Sequence, residues 1–180
     1  LFLKLESQNP GGSIKDRIAI SMLDAAEREG WLKPGGTIVE ATAGNTGLAL
    51  TLVGRARGYK VLLVIPDKMS KEKIQHLRAM GADVRLTRSD VPHGHPEYYT
   101  DMAERLAQAI PGAYYVNQFA NQSNADAHVK TTGPEIWEQA GGDIDAFVAG
   151  IGSGGTITGV ARYLKSVGSK AEIILADPVG

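Results

Sequence analysis

Cysteine is absent from the chain, which removes disulfides, thiolate nucleophiles and cysteine-built zinc or iron–sulfur sites at once. A reducing compartment is compatible with that absence, and a cytoplasmic location is expected. An excess of one charge is missing too: 19 Lys and Arg stand against 20 Asp and Glu, a net charge of −1. No sequence-wide basic field exists to hold nucleic acid or an anionic membrane, so neither is expected as a partner. No apolar run approaches the roughly 18 residues of a membrane span, and no basic segment leads into an apolar one at the start. The chain reads as soluble. Its 43% hydrophobic and 22% charged residues lie in the globular range, where a substantial core can form. It opens without Met on Leu-Phe-Leu-Lys-Leu and stops at Asp177-Pro178-Val179-Gly180; both ends read as cut.

Glycine is abundant, with 22 among 180 residues, and an excess of it calls for tight turns or close backbone approaches. Strand-like runs at Leu1–Leu5, Thr37–Glu40, Lys60–Ile65, Asp83–Leu86, Ala113–Val116, Ala146–Gly150 and Glu172–Asp177 alternate with segments of helical period. Helices fit Ser13–Glu29, Thr46–Gly58, Ser70–Met80, Pro96–Ile110, Ala125–Ala140 and Thr156–Val167. Several carry Ser or Thr at the N-cap, and Gly30, Gly58 and Gly81 read as C-terminal stops. The alternation indicates an α/β fold with a mostly parallel sheet.

The other glycines gather where strands or loops meet helices: Gly11-Gly12, Gly44 with Gly47, and Gly150, Gly152, Gly154 and Gly155. Ligands of open α/β sheets bind at such junctions, at the carboxyl ends of strands. In the last cluster, Gly150-Ile151-Gly152-Ser153-Gly154-Gly155-Thr156 follows a strand and opens a helix. Free amides and the helix dipole there suit a phosphate. Gly150, Gly152 and Gly155 also match the dinucleotide spacing G-x-G-x-x-G, and Asp177 ends the next strand where a ribose-binding acid belongs. An NAD(P)-dependent oxidoreductase is therefore one reading, and which phosphate binds stays open.

Lys15 aligns on a helical wheel with Ile18, Ala19, Met22 and Ala26, whereas Arg17, Asp24, Glu27 and Arg28 gather opposite. It thus faces the apolar side, in the first helical turn, where burial and the helix dipole both lower a lysine pKa. A neutral amine is a nucleophile; the plainer alternative is a lysine snorkelling at a domain edge. The run Glu40-Ala41-Thr42-Ala43-Gly44-Asn45-Thr46-Gly47 also passes from strand into helix, and its hydroxyls, amide and backbone N–H groups can grip a carboxylate. Taken alone it is equally a well-capped helix. His93 and His95 near Asp90 and Glu97 lack further ligands and read as a solvated turn, so no metal is expected. His76 and His128 read as surface or packing residues, Trp31 and Trp137 as packing, and Tyr98-Tyr99 and Tyr114-Tyr115 lack the basic neighbours of a base-stacking platform.

Three ordered motifs, Asn9-Pro10-Gly11-Gly12-Ser13-Ile14-Lys15-Asp16-Arg17, Gly44-Asn45-Thr46-Gly47 and Gly152-Ser153-Gly154-Gly155-Thr156, together resemble the cofactor lysine, asparagine loop and phosphate loop of the pyridoxal-phosphate-dependent β-family, which includes cysteine synthase and cystathionine β-synthase. The likeness extends through Pro66-Asp67-Lys68-Met69-Ser70, Asn117-Gln118-Phe119-Ala120-Asn121 and Thr131-Thr132-Gly133-Pro134-Glu135-Ile136. It implies a tryptophan-synthase-β-like fold (fold type II), with open, twisted, mostly parallel sheets and flanking helices in two subdomains. Residues 9–119 would form the smaller, substrate-loop-bearing subdomain. Residues 1–8 and 120–180 would form part of the larger, cofactor-phosphate-binding one, incomplete within this chain.

By the same resemblance Lys15 holds pyridoxal 5'-phosphate as an internal aldimine and acts as the catalytic base, and Asn45 contacts the pyridine 3-oxygen. Gly152, Ser153, Gly154, Gly155 and Thr156 hold the phosphate; Thr42, Ala43, Gly44, Asn45, Thr46 and Gln118 bind the substrate carboxylate. The implied reaction is β-replacement on L-serine or O-acetyl-L-serine through an aminoacrylate, with a thiol or sulfide acceptor, by a homodimer. An electron-sink cofactor needs such an amine anchor and a preorganised phosphate site, whereas the dinucleotide reading leaves Lys15 and the asparagine loop unexplained. Two departures stand out. Ala43 replaces the family's usual serine, and the chain stops before the half that carries the group facing the pyridine nitrogen. A protein that keeps the fold as a catalytically weak binding module is the third reading.

Overall fold

The computed structural model describes residues 1–42 and 44–177. These divide into two units, Glu6–Asn117 and Leu1–Leu5 with Gln118–Gly180.

In the first unit, helices α1 (Lys15–Arg28), α2 (Asn45–Ala56), α3 (Lys71–Ala79) and α4 (Tyr99–Ala109) alternate with strands β1 (Thr37–Ala41), β2 (Lys60–Pro66), β3 (Asp83–Thr87) and β4 (Ala113–Tyr115). All strand pairs are parallel, in the order β3-β2-β1-β4, with Val39 opposite Leu62 on one side and Tyr115 on the other. The run Val61–Ile65 is buried throughout, as expected of a parallel strand covered on both faces. One face (Val39, Ala41, Leu62 and Val64) meets Ala103 of α4, with Tyr99, Met102 and Leu106 around it. On the other face α2 comes so close that a Cβ on Gly54 would lie 2.6 Å from Ile38 Cδ1 and 3.0 Å from Val61 Cγ2. Helix α1 packs on α2, and its stripe Ile18, Ala19, Met22, Leu23 and Ala26 is fully buried. Burying each larger side chain of that stripe contributes roughly 1.5–3 kcal/mol, which is why the helical period of the sequence is obeyed here.

Chain order reverses between β1 and β4: β2 and β3 extend to one side of β1, and β4 adds to the other. The carboxyl end of β1 at such a switch point is where open α/β sheets bind ligands. It runs directly into Thr42 and the Gly44 N-cap of α2.

The second unit holds α5 (Gln122–Ala127), a π-helical turn His128–Thr132, α6 (Gly133–Gln139), β5 (Ala146–Ala149), α7 (Gly155–Ser166) and β6 (Glu172–Leu175). β5 and β6 pair in parallel, Ala146 opposite Glu172, with α7 as their crossover. Val148, Ile173, Ile174 and Leu175 on these strands are exposed.

The α/β class with parallel sheets and flanking helices agrees with the sequence expectation, and Gly30, Gly58 and Gly81 end helices at φ of 74°, 81° and 96°. Several local expectations are corrected. Leu1–Leu5 forms no strand; within its unit no ladder partner satisfies it, and Lys4 instead pairs with Glu135 at 2.7 Å. The helix expected over Ala125–Ala140 runs without a break over 122–139, with the π-helical turn His128–Thr132 inside it. β6 ends at Leu175, leaving Asp177 exposed beyond it. Of the helix starts, Ser70 of α3 supplies the expected hydroxyl cap, accepting from the Lys73 amide; Asn121 caps α5 through its side chain, Thr132 precedes α6 without a side-chain cap bond, and Ile14, Gly44, Tyr98 and Gly154 occupy the place elsewhere. Trp31, expected to pack, is 61% exposed and stacks on Tyr114 at 6.1 Å. Among the described residues no helix is long and apolar enough to cross a membrane.

Candidate active site

Lys15 is the first residue of α1 and is half-buried. Burial lowers its amine below the usual lysine range, because a charged ammonium loses hydration there. Within its unit, among the described residues, the side chain has no hydrogen-bond or ion-pair partner to restore that cost. Its position is set by a bonded frame over residues 6–17. Arg17 grips Glu6 with two donors, Nε to Oε2 at 2.7 Å and a terminal guanidinium nitrogen to Oε1 at 2.8 Å. Asn9 Nδ2 donates to Glu6 Oε2 at 2.7 Å and to the Ser13 carbonyl at 3.1 Å. The Gly12 amide closes onto the Asn9 carbonyl at 2.7 Å, the Gly11 amide donates to Asp16 at 2.6 Å, and the Lys15 amide donates to Ser13 Oγ at 3.2 Å. Two-donor guanidinium–carboxylate pairs fix orientation as well as distance, so the turn before Lys15 is held from both ends.

In the same unit the Thr42 loop leaves the switch point. Thr42 and Thr46 are buried and Asn45 is exposed. The Gly44 amide donates to Thr42 Oγ1 at 3.2 Å and the Gly47 amide to the Gly44 carbonyl at 3.0 Å. No side chain caps α2, and the amides at an α-helix N-terminus point outward at the positive end of its dipole. Carboxylate-sized anions suit such a place. Ala43 lies outside the described residues.

The other expected residues belong to the second unit. Gly154 caps α7 at φ 80°, a left-handed conformation that costs a side-chain-bearing residue roughly 1–2 kcal/mol. No side chain caps this helix either. Ser153 and Thr156 are half-buried and Gly152 is open, with no atom near where its Cβ would stand. A Cβ on Gly155 would fall on the Asn124 carboxamide, so only glycine lets the loop descend onto that side chain. Gln118 is buried, and its carbonyl accepts from Asn124 Nδ2 at 2.8 Å.

Three residues outside the sequence expectation support this loop. Asn124 Nδ2 also donates to Ser153 Oγ at 2.8 Å. His128, expected at the surface or in packing, is fully buried, with Nδ1 2.8 Å from Thr132 Oγ1 and Nε2 3.2 Å from Thr156 Oγ1. Asn124, His128 and Thr132 are all buried polar groups. The one available signal was the i,i+4 pair His128/Thr132 within a single expected helix, and a helical wheel does not say what that face meets.

The β5–α7–β6 unit alone suits a dinucleotide or another phosphate ester equally well. Comparison with known proteins decides between them, since the sequence profile of the family described as "Pyridoxal-phosphate dependent enzyme" matches residues 1–180. The chain belongs to that family. Cysteine synthase 1 of Emericella nidulans is 48% identical to it over 181 residues, spanning 100% of this chain and 49% of that protein. Cystathionine beta-synthase of Apis mellifera is 46% identical over 180 residues, spanning 100% of this chain and 36% of that protein. The crystal structure of an O-ureido-L-serine synthase superposes with a TM-score of 0.90 at 40% identity, covering 97% of this chain and 54% of the other. The chain therefore spans about half the length of the cysteine synthase it matches.

The family's cofactor is pyridoxal 5'-phosphate, and the residues present fit it. The half-buried amine of Lys15, its pKa lowered by burial, suits a carbonyl partner. The uncapped α7 N-terminus, its left-handed Gly154, the cradle that a Gly155 side chain would fill and the two anchored hydroxyls suit a phosphate.

Proposed function

We propose that this chain belongs to an enzyme of β-replacement on L-serine or O-acetyl-L-serine, with a thiol or sulfide acceptor, of the cystathionine β-synthase or cysteine synthase type. The observation that carries the reading is Lys15, a half-buried amine of lowered pKa presented on a hydrogen-bonded turn.

Lys15 Nζ would hold the cofactor's carbonyl carbon, and its amine would be the base that takes the proton from the substrate's α-carbon. Pyridoxal phosphate supplies, when bound, an electron sink for the charge left on that carbon. Asn45 orients the cofactor ring through its 3-oxygen. The amides and hydroxyls of Gly152, Ser153, Gly154, Gly155 and Thr156 hold its phosphate. Thr42, Gly44, Asn45, Thr46 and Gln118 bind the substrate carboxylate, with Ala43 in the same loop. Residues 9–119 act as the substrate-loop-bearing subdomain, and 1–8 with 120–180 as part of the cofactor-phosphate-binding one. Cysteine synthase and cystathionine beta-synthase relatives at 48% and 46% identity support this assignment. The reading includes a cytoplasmic homodimer, which light scattering and cell fractionation test.

The full protein, loaded with pyridoxal phosphate, is assayed with each donor, serine or O-acetylserine, against each acceptor, homocysteine or sulfide. Product from one pairing, lost in Lys15→Ala, is expected. No product from any pairing, or turnover that survives Lys15→Ala, overturns the assignment.

A further inference from the structure

The two hydroxyls of the 152–156 loop are each backed by a buried nitrogen. For Ser153 the direction of the bond is fixed. Asn124 Nδ2 faces the Gln118 carbonyl at 2.8 Å, and a carbonyl only accepts, so the amide must present its NH2 group on that side. The same nitrogen then donates to Ser153 Oγ at 2.8 Å, which leaves the Ser153 hydroxyl hydrogen free to point elsewhere. Asn124 is 3% exposed, and its Oδ1 lies against Gly155 with no hydrogen-bond partner among the described residues. The amide thus stays in this orientation although its oxygen gains nothing from it.

His128 stands behind Thr156 in the same way, and the hydroxyls that meet its two ring nitrogens can each donate or accept. It is fully buried between Thr132 Oγ1 at Nδ1 and Thr156 Oγ1 at Nε2. A neutral imidazole carries one N–H and one lone pair. With the proton on Nδ1, Nε2 would accept from Thr156 and turn the threonine lone pairs toward whatever the loop binds. With the proton on Nε2, the ring donates to Thr156 Oγ1 and the threonine hydrogen is free for an anion, while Thr132 donates to Nδ1. Within this turn the Gly133 amide reaches the His128 carbonyl, and His128 and Thr132, four residues apart, share one face.

We infer that His128 is a positioning residue of the phosphate loop, carrying its proton on Nε2 so that Thr156 donates its hydroxyl hydrogen to a bound phosphate. The inference rests on the reading of residues 152–156 as an anion site and deepens it: the loop takes phosphate esters through two hydroxyl donors, each oriented by a buried side chain.

Binding of inorganic phosphate and of pyridoxal phosphate is measured on the full protein, with folding of each variant checked by circular dichroism. The amide nitrogen of glutamine reaches where Nε2 lies, and that of asparagine where Nδ1 lies. His128→Asn is expected to weaken both ligands on the order of tenfold, as loss of an oriented donor to a charged group should, and His128→Gln to restore binding. In a double-mutant cycle the effects of His128→Asn and Thr156→Val are expected to overlap rather than add. In the phosphate-loaded wild type, nitrogen-15 shifts of His128 should show a protonated Nε2 and a bare Nδ1. A proton on Nδ1, a doubly protonated ring, additive losses, or wild-type affinity in His128→Asn overturns the role of His128 while leaving the phosphate site intact. A wild-type protein that binds neither ligand overturns the reading of the loop, and this inference with it.

Discussion

The Gly11 amide donates to the Asp16 carboxylate at 2.6 Å, and a Cβ on Gly11 would land on that same carboxylate. The bond closes the turn that carries Lys15, and Asp16 is 6% exposed, so water does not replace what a substitution removes. Gly11→Ala must push the carboxylate aside. Leaving a buried polar partner unmade costs roughly 1–3 kcal/mol, so Gly11→Ala and Asp16→Ala are expected to lose about that much stability in urea unfolding and to bind pyridoxal phosphate more weakly. Asp16→Asn keeps an acceptor and should lose less. Unchanged unfolding midpoints and cofactor affinity in both alanine variants would contradict the role of this contact.

Lys15 sets a pH dependence of the same sense as that of a paired carboxylate, displaced to the alkaline range. Burial lowers its folded pKa below 10.5, so between the folded value and 10.5 the unfolded chain binds more protons than the folded one. Stability gained from this group rises with pH across that window and is lowest below it, where the charged amine is penalised in the fold. In cofactor-free protein, Lys15→Met is therefore expected to be more stable than wild type at neutral pH, with the advantage shrinking as pH approaches 10.5. Parallel pH profiles of the two proteins would show that the amine is not penalised by burial.

Within the 152–156 loop, three glycines separate by mechanism. Gly155→Ala collides with Asn124 and should abolish phosphate binding along with stability. Gly154→Ala has room but must hold φ near 80°, which costs roughly 1–2 kcal/mol. Gly152→Ala meets nothing and should unfold at the wild-type temperature. Thermal denaturation of the three variants checks the order, and a Gly155→Ala as stable as Gly152→Ala would contradict it.

Gly54→Ala tests the packing of α2 on the sheet. The added methyl would stand 2.6 Å from Ile38 Cδ1, and overpacking of this kind costs typically 1–3 kcal/mol. That penalty exceeds the gain of up to about 1 kcal/mol from replacing glycine inside a helix, so a net loss in urea unfolding is expected. A net gain would mean that α2 shifts freely off the strands.

Regular elements were legible wherever the local pattern and the packing asked for the same thing. The stripe Ile18, Ala19, Met22 and Ala26 placed α1 and the side of it on which Lys15 stands, because that spacing is buried as a unit. Leu1–Leu5 misled for the opposite reason: an apolar run is strand-like, but a strand exists only where a neighbour accepts its ladder bonds. The helix expected over Ala125–Ala140 was legible, but nothing local marks the π-turn within it. The turn lies where α7 comes close: a Cβ on Gly133 would stand 2.6 Å from Tyr163 Cβ and one on Gly159 would stand 2.5 Å from His128 Cβ.

The sequence by itself determined the α/β alternation, the glycine-marked turns and the motif residues Lys15, Asn45 and Gly152–Thr156, since each depends on spacing and residue type within a few positions. Only the tertiary structure decided how those residues are held. The switch point beside β1, the frame of Glu6, Asn9 and Asp16 around the lysine turn, and the buried Asn124 and His128 behind the loop hydroxyls all depend on contacts across sequence distance. A buried polar side chain takes its meaning from its partner, and the partner is known only once the chain has folded.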